Sequence, residues 1–288
     1  MRDDFAIFIL SHGRAHTTVT VNTLKNTNYN GKWYIILDNE DNQIEEYKAR
    51  FGAEHCYVFD RIAQSQNINF DIGDNFTHRN TIVFARNMCF EIAKDLGLNW
   101  FLEFEDDYVE FKHRNLKPDG SMAGYVLQDW DAIVNELICF MEGCPNVTTI
   151  AMSQVGDWLG GKDSSVYRQQ LTRKAMNSFL CKVDRPFTFV GRMNDDVNTY
   201  VTEGSRGKLF FTYKDLCLTQ KDTQQNAGGL SDMYKQFGTY TKSFYSVMMA
   251  PSSVKIYEMG QTHRRIHHLI DWNVAVPKII SDKFKIKD

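Results

Sequence analysis

Residues 100–108 read WFLEFEDDY, an apolar run that ends in three successive carboxylates, Glu105, Asp106 and Asp107. A continuous apolar run of this length fits a strand buried on both faces. Gathering so much negative charge at its end is costly unless something cationic sits there, so the strand end reads as a site for a divalent metal.

Two further runs of the same kind lie upstream, residues 5–10 (FAIFIL) and 32–37 (KWYIIL), and a shorter one at 55–59 (HCYVF). Helical spacing fills the gaps at 17–24 and 43–51. A strand-helix-strand-helix-strand series builds a doubly wound half-sheet by the right-handed crossover rule, with ligand sites at the carboxyl ends of its strands. Ser11, Gly13, Arg14, Asp38 and Asp107 would share that edge. No GxGxxG or GxxxxGK[ST] follows the first strand, which excludes the usual dinucleotide fingerprint and the P-loop. A strand-end Asp38 can instead accept hydrogen bonds from a uracil or ribose, and a metal at Asp107 can neutralise a diphosphate. In this logic the sequence resembles the GT-A glycosyltransferases, and the expected fold is α/β, a Rossmann-like mixed sheet flanked by helices with a C-terminal elaboration on the acceptor side.

With 288 residues, 43% of them hydrophobic, the chain can bury a large core. We expect one GT-A domain, with residues 1–110 as the nucleotide-sugar half and 111–288 as the acceptor half. The six cysteines show no CxxC spacing, which argues against zinc and disulfide frameworks and fits a reducing cytosol. No apolar run approaches the roughly 20 residues needed to span a bilayer, and the N-terminus lacks a signal-peptide pattern. The expected location is the cytoplasm, without membrane partners. The net charge of -3 argues against a generic nucleic-acid coat, although the chain is locally basic from Lys255 onward.

Residues 81–96 (TIVFARNMCFEIAKDL) form an amphipathic helix leading through Gly97 into the acidic strand. This order resembles the ARN…LDDD stretch of inverting GT-A enzymes. The resemblance places Arg86 and Asn87 at the donor, Asp107 on the metal, and Glu105 or Asp106 towards the ribose. Residues 190–200 (VGRMNDDVNTY) follow a strand-like run at 187–190 and open a helix, where a carboxylate also serves as a cap. They resemble the ED motif of the same enzymes, which makes Asp196 the general base and Asp195 its neighbour. Residues 257–272 (YEMGQTHRRIHHLIDW) follow a strand at 254–259. By resemblance His263 serves the metal or diphosphate, with His267 and His268 on a helix-like segment.

Three stretches remain: a strand at 209–220, a polar glycine loop at 222–229, and an aromatic-basic segment at 238–251. Gln224, Gln225 and Asn226 can bond a base edge, Gly228 and Gly229 sit beside them, and Tyr240, Lys242, Phe244 and Tyr245 alternate basic and stacking groups. Taken in order, SHGR, ARN…FEDD, GRMNDDVNTY, QQNAGG, YTKSFYSVMMAP and RRIHHLIDWNVAVPKI resemble the TET/JBP-associated glycosyltransferases of bacteriophages. The resemblance implies a nucleotide-sugar donor, usually a UDP-sugar, a divalent metal, Mn2+ or Mg2+, and phage DNA carrying 5-hydroxymethylcytosine as acceptor. Gln225, Gly228, Gly229, Tyr240, Lys242, Arg264 and Arg265 would then hold the DNA. A GT-A enzyme with another acceptor, and a catalytically silent nucleotide-sugar-binding module, are the alternatives. The first predicts no salt-sensitive DNA binding, and the second no metal-dependent turnover.

Overall fold

A computed structural model of the chain describes residues 1–66, 79, 81–164, 174–221, 234, 238, 240–260 and 264–275. In chain order the elements begin with β1 (Phe5–Leu10), α1 (Thr20–Asn26), β2 (Lys32–Asp38), α2 (Ile44–Phe51), β3 (Cys56–Phe59) and the short α3 (Arg61–Ser65). They continue with α4 (Val83–Asp95), β4 (Trp100–Glu105), β5 (Tyr108–Leu116), β6 (Met122–Val126), α5 (Trp130–Gly143), β7 (Val147–Gln154) and β8 (Phe179–Lys182). The last are α6 (Asp195–Ser205), β9 (Leu209–Gln220), α7 (Thr241–Met249), β10 (Val254–Met259) and β11 (Arg265–Ile270).

Nine strands form one sheet in the order β3-β2-β1-β4-β8-β7-β9-β5-β6, and β10 and β11 form a separate antiparallel hairpin. The first four strands are parallel, as the crossover rule requires. Beyond β4 the sheet is mixed, because β8 joins β4 antiparallel and β9 then joins β7 parallel. Strand β1 alternates as a doubly covered strand should. Phe5, Ile7 and Ile9 enter one core with Trp100, Leu102, Phe104 and Trp130, while Ala6, Phe8 and Leu10 enter the other with Phe84, Phe90, Val197 and Val201. The registers Leu10↔Ile36, Leu10↔Glu105 and Asp38↔Phe59 bring Ser11, Asp38 and the β4 acidic end to one edge.

Several elements differ from the sequence expectation. Helix α1 starts at Thr20, since the amides of Thr17 and Thr18 instead close a turn onto the Arg14 carbonyl. Residues 241–249 are helical, with Ser243, Tyr245 and Ser246 buried. His267 and His268 lie on a strand, paired with Tyr257 and Ile256, and not on a helix. Among the described residues no helix is long and apolar enough to cross a membrane.

Candidate active site

The three acidic residues at the end of β4 do different things because the chain alternates there. Asp106 turns inward and is 2% exposed. Its carboxylate accepts from the Ser11 hydroxyl at 2.5 Å and from Arg14 Nη1 at 3.0 Å. Tyr47 completes the knot, its hydroxyl lying 2.7 Å from Ser11 Oγ and accepting the Arg14 amide at 2.8 Å. Asp106 therefore anchors the loop after β1. That loop needs Gly13 for its backbone, at φ +64°, and the Gly13 amide donates to the buried Asp41 at 2.7 Å.

Glu105 and Asp107, one residue apart on either side, are both half-buried and share a partner on the end of β9. Gln220 Nε2 donates to Glu105 Oε2 at 2.8 Å and reaches Asp107 Oδ1 at 3.4 Å, while Asn177 Nδ2 holds the Gln220 carbonyl oxygen at 2.5 Å. The two carboxylates that share Gln220 are thus spaced Glu-x-Asp. Burial pushes both carboxyl groups up, with Arg86 opposing the rise at Glu105 and Arg14 opposing it at Asp107. Among the described residues no three His, Cys, Asp or Glu side chains form a ready metal cage.

At the end of β2, Asp38 is buried between an imidazole and a guanidinium. Its carboxylate lies 2.7 Å from His12 Nδ1 and accepts from Arg61 Nη1 at 2.8 Å. Burial opposes ionisation there, but these contacts outweigh it and hold the carboxyl below its ordinary value.

Arg86 takes a different place from a donor-facing arginine. It is 1% exposed, and its guanidinium spans three carboxylates: Nη2 donates to Glu105 at 2.8 Å, Nη1 to Glu103 at 3.3 Å, and Nε lies 2.9 Å from Asp195 Oδ2, an ion pair that falls short of hydrogen-bond alignment. Asn87 is likewise turned away from the edge. Its amide donates to the Phe189 carbonyl at 3.0 Å and accepts the Phe189 N–H at 2.8 Å, stapling α4 to the segment before α6. Replacing it with Ala should lower stability by about 1–2 kcal/mol through these two bonds and leave donor affinity unchanged, which a denaturant melt with a binding titration checks.

The turn into α6 is tight. Gly191 has φ +92°, and a Cβ there would collide with the Asn198 amide, which donates to the Met193 carbonyl at 2.9 Å. Asn194, left-handed at φ 57°, is the cap residue, so Asp195 and Asp196 form the first turn of the helix and are not caps. Both are buried. Asp195 is the one against Arg86, whereas Asp196 accepts the Val197 amide at 2.7 Å and lies in the field of Lys242 and Lys174. Burial raises both carboxyls, opposed by Arg86.

Lys242 is half-buried on α7, where burial pulls its pKa down against the attraction of Asp196. Tyr240 precedes it by two residues, about 200° around a helix, and is 48% exposed, so the two point to different sides. The hairpin completes this side: His268 Nδ1 lies 3.4 Å from the Asn194 side-chain nitrogen, Arg265 is exposed at the start of β11, and Arg264 just before it is exposed and pairs with Glu258 at 3.4 Å. Burial and neighbouring cations push the His268 imidazole down to about 3, which keeps it neutral. His263, Gln225, Gly228 and Gly229 lie outside the described residues.

The profile of the TET-associated glycosyltransferases matches residues 5–229. The chain belongs to that family. Among solved structures, a mannosyltransferase from Pyrobaculum calidifontis, in complex with GDP-Man and Mn2+, superposes with a TM-score of 0.52 at 12% identity, covering 86% of this chain and 63% of that one. Glucosyl-3-phosphoglycerate synthase from Mycobacterium tuberculosis, in complex with Mg2+ and UDP, gives 0.47 at 7% identity over 92% and 87%. This chain therefore spans 63% of the length of the mannosyltransferase it matches. No match was found among curated proteins. The fold is that of the GT-A glycosyltransferases.

Family motifs pointed to the charged residues but not to those that hold them. Arg61, Asp41, Glu103 and Gln220 went unnoticed in the sequence: Arg61 and Asp41 sit in otherwise unremarkable segments, and Glu103 lies within the apolar run that leads to the acidic triplet. Gln220 carries no charge, and its partners are 113 and 115 residues away in the chain.

Proposed function

We propose that this member of the family is an inverting, metal-dependent glycosyltransferase that moves a sugar from a nucleotide sugar, a UDP-sugar, to the hydroxymethyl group of 5-hydroxymethylcytosine in DNA. The observation that carries the reading is that two carboxylate pairs, Glu105 with Asp107 and Asp195 with Asp196, are linked through the single guanidinium of Arg86, which touches Glu105 and Asp195. One pair suits a donor site and the other a proton-accepting site, and inverting transfer needs both in one cleft.

A divalent ion, Mn2+ or Mg2+, fits Glu105 and Asp107. Both offer hard carboxylate oxygens and both are half-open, and neighbouring carboxylates add to the burial that raises their pKa values, a cost a divalent cation would relieve. Glu105 and Asp107 would hold the ion, with His263 as a third protein ligand and a diphosphate supplying further oxygens. When bound, the ion neutralises charge building on the leaving diphosphate. Arg14 adds a cation beside Asp106 on the same edge, and Asp38, held by His12 and Arg61, faces the nucleoside. Asp196 takes the proton from the acceptor hydroxyl as it attacks the anomeric carbon from the far side.

The DNA acceptor is supported by the family's TET association and by Lys242, Arg264 and Arg265 on the Asp196 side, with Gln225, Gly228 and Gly229 as further contacts. Residues 1–110 would serve the donor and 111–288 the acceptor, in the cytoplasm of a phage-infected cell. A base stacked in a duplex is shielded, so the enzyme should flip it out or use a single strand. Because a phosphate contact releases counterions, Arg265→Ala should weaken DNA binding and reduce the slope of log affinity against log salt by about one. Tyr240→Ala, on the other side of α7 from Lys242, should change affinity less than about twofold, below the usual 1–3 kcal/mol of a stacked base.

The deciding experiment incubates the protein with Mn2+, a panel of nucleotide sugars and hydroxymethylated DNA, then digests the DNA and weighs the nucleosides. A hexose-sized mass gain on hydroxymethylcytosine is expected. Transfer only to a small sugar, lipid or protein would replace the DNA acceptor, and nucleotide-sugar binding without turnover would mark a silent binding module.

A further inference from the structure

We infer that Arg86 is a positioning residue: it binds the strand that carries Glu105 to the helix that carries Asp195, and so fixes the donor carboxylates relative to the base, with Glu103 as its abutment. The inference rests on the proposed reaction. Arg86 itself touches neither substrate, because it is 1% exposed and its guanidinium is spent on carboxylates. Its three nitrogens reach two other elements. Nη2 takes Glu105 at the end of β4, Nη1 takes Glu103 two residues earlier on that strand, and Nε lies against Asp195 in the first turn of α6. Those carboxylates are 17, 19 and 109 residues away in the chain, counting from residue 86 to residues 103, 105 and 195.

The packing leaves this fork little freedom. The guanidinium carbon sits 4.9 Å from the Phe179 ring centroid and 5.5 Å from that of Phe189. Asn87, the next residue, is clamped to the backbone of Phe189, so the helix cannot turn to release its neighbour. Glu103 is fully buried, and it fills the side of the fork away from the sheet edge. A core does not need such a cluster for stability, since apolar side chains of similar volume do as well or better. What one planar fork offers, and a lysine does not, is three contacts in fixed directions. Without it, Glu105 and Asp195 would repel across the cleft, and the separation between donor and acceptor sites would be set by repulsion instead of by a contact.

The test compares Arg86→Met, Arg86→Lys and Glu103→Gln with a core variant remote from the cluster, Ile138→Val on α5. Three quantities are read: Mn2+ affinity in the presence of UDP by electron paramagnetic resonance, kcat and KM for donor turnover, and the melting temperature. Hydrolysis of the nucleotide sugar by water supplies turnover where no DNA is used. Arg86→Met should weaken Mn2+ about tenfold or more and lower kcat about a hundredfold or more, because both sites lose a shared anchor. Arg86→Lys should regain part of kcat but less of the Mn2+ affinity, as a point charge cannot span both carboxylates. Glu103→Gln keeps shape and hydrogen bonding, and should lower kcat about threefold to tenfold with KM for the donor unchanged.

Arg86→Met protein that folds and retains wild-type Mn2+ affinity and kcat overturns the inference. So does Ile138→Val lowering both by the same factors, which would assign the effect to general loosening. If Arg86→Met does not fold, Glu103→Gln decides, and wild-type kcat in that variant overturns the inference. A wild-type protein that binds Mn2+ and UDP in an Arg86-dependent way, yet modifies no hydroxymethylated DNA, refutes the acceptor and leaves the role of Arg86 standing.

Discussion

Asp196→Asn should lower kcat by about 10²- to 10⁴-fold, the range of a lost general base, while nucleotide-sugar binding stays as it was. Asn matches the shape of the carboxylate and can still accept the Val197 amide bond seen at 2.7 Å, so the first turn of α6 should survive. The two neighbouring aspartates are not equivalent. Asp195 is committed to Arg86 at 2.9 Å, and its loss removes one of the three carboxylates around that buried cation, which shows first in the melting temperature. Among the described residues Asp196 makes no such ion pair, and it lies in the field of Lys242 and Lys174. Burial raises its pKa, so its proton-accepting form is lost above the ordinary aspartate range as pH falls. The acid limb of kcat should therefore lie above that range in the wild type. A folded Asp195→Asn that is dead beside an active Asp196→Asn would move the base by one residue. Unchanged turnover in both variants would remove the carboxylate base from the mechanism.

The N-terminal parallel half of the sheet was legible because its signals are local. Strands β1, β2 and β4 are continuous apolar runs, and their parallel order follows from crossover geometry, so the edge holding Ser11, Asp38 and the acidic triplet could be drawn from spacing alone. The division of labour inside the triplet could not. Which of Glu105, Asp106 and Asp107 turns inward depends on Ser11, Arg14 and Tyr47, and on Gln220 arriving at the end of a strand more than a hundred residues later. Arg86 shows the same limit. Its motif was visible, but its partners span two other elements, and an arginine beside a nucleotide and one buried among carboxylates look alike in sequence. Helix α7 and strand β11 were missed for another reason. Their mixtures of aromatic, basic and β-branched residues satisfy either period, and packing against α6 and β10 decides between them.

Asp107→Asn and Glu105→Gln should each weaken Mn2+-dependent binding of the UDP-sugar by more than about tenfold, about 1.4 kcal/mol, because each removes a negative charge and a hard oxygen from the ion's site. They should differ elsewhere. Glu105 also carries Arg86 at 2.8 Å and Gln220 at 2.8 Å, so Glu105→Gln should lower the melting temperature as well as the affinity. At Asp107 the Gln220 contact is the longer one, 3.4 Å, and Asn keeps an oxygen that can accept it, so the replacement should act mainly on binding. Asp106→Asn is the informative third member. Its carboxylate is turned inward onto Ser11 and Arg14, so the amide should loosen the loop after β1 while leaving Mn2+ affinity measured without nucleotide unchanged. Calorimetric titration of the three variants, with and without UDP, separates these outcomes. Wild-type binding by Asp107→Asn would place the metal elsewhere, and a loss confined to Asp106→Asn would mean that the inward-facing carboxylate turns over to meet the ion.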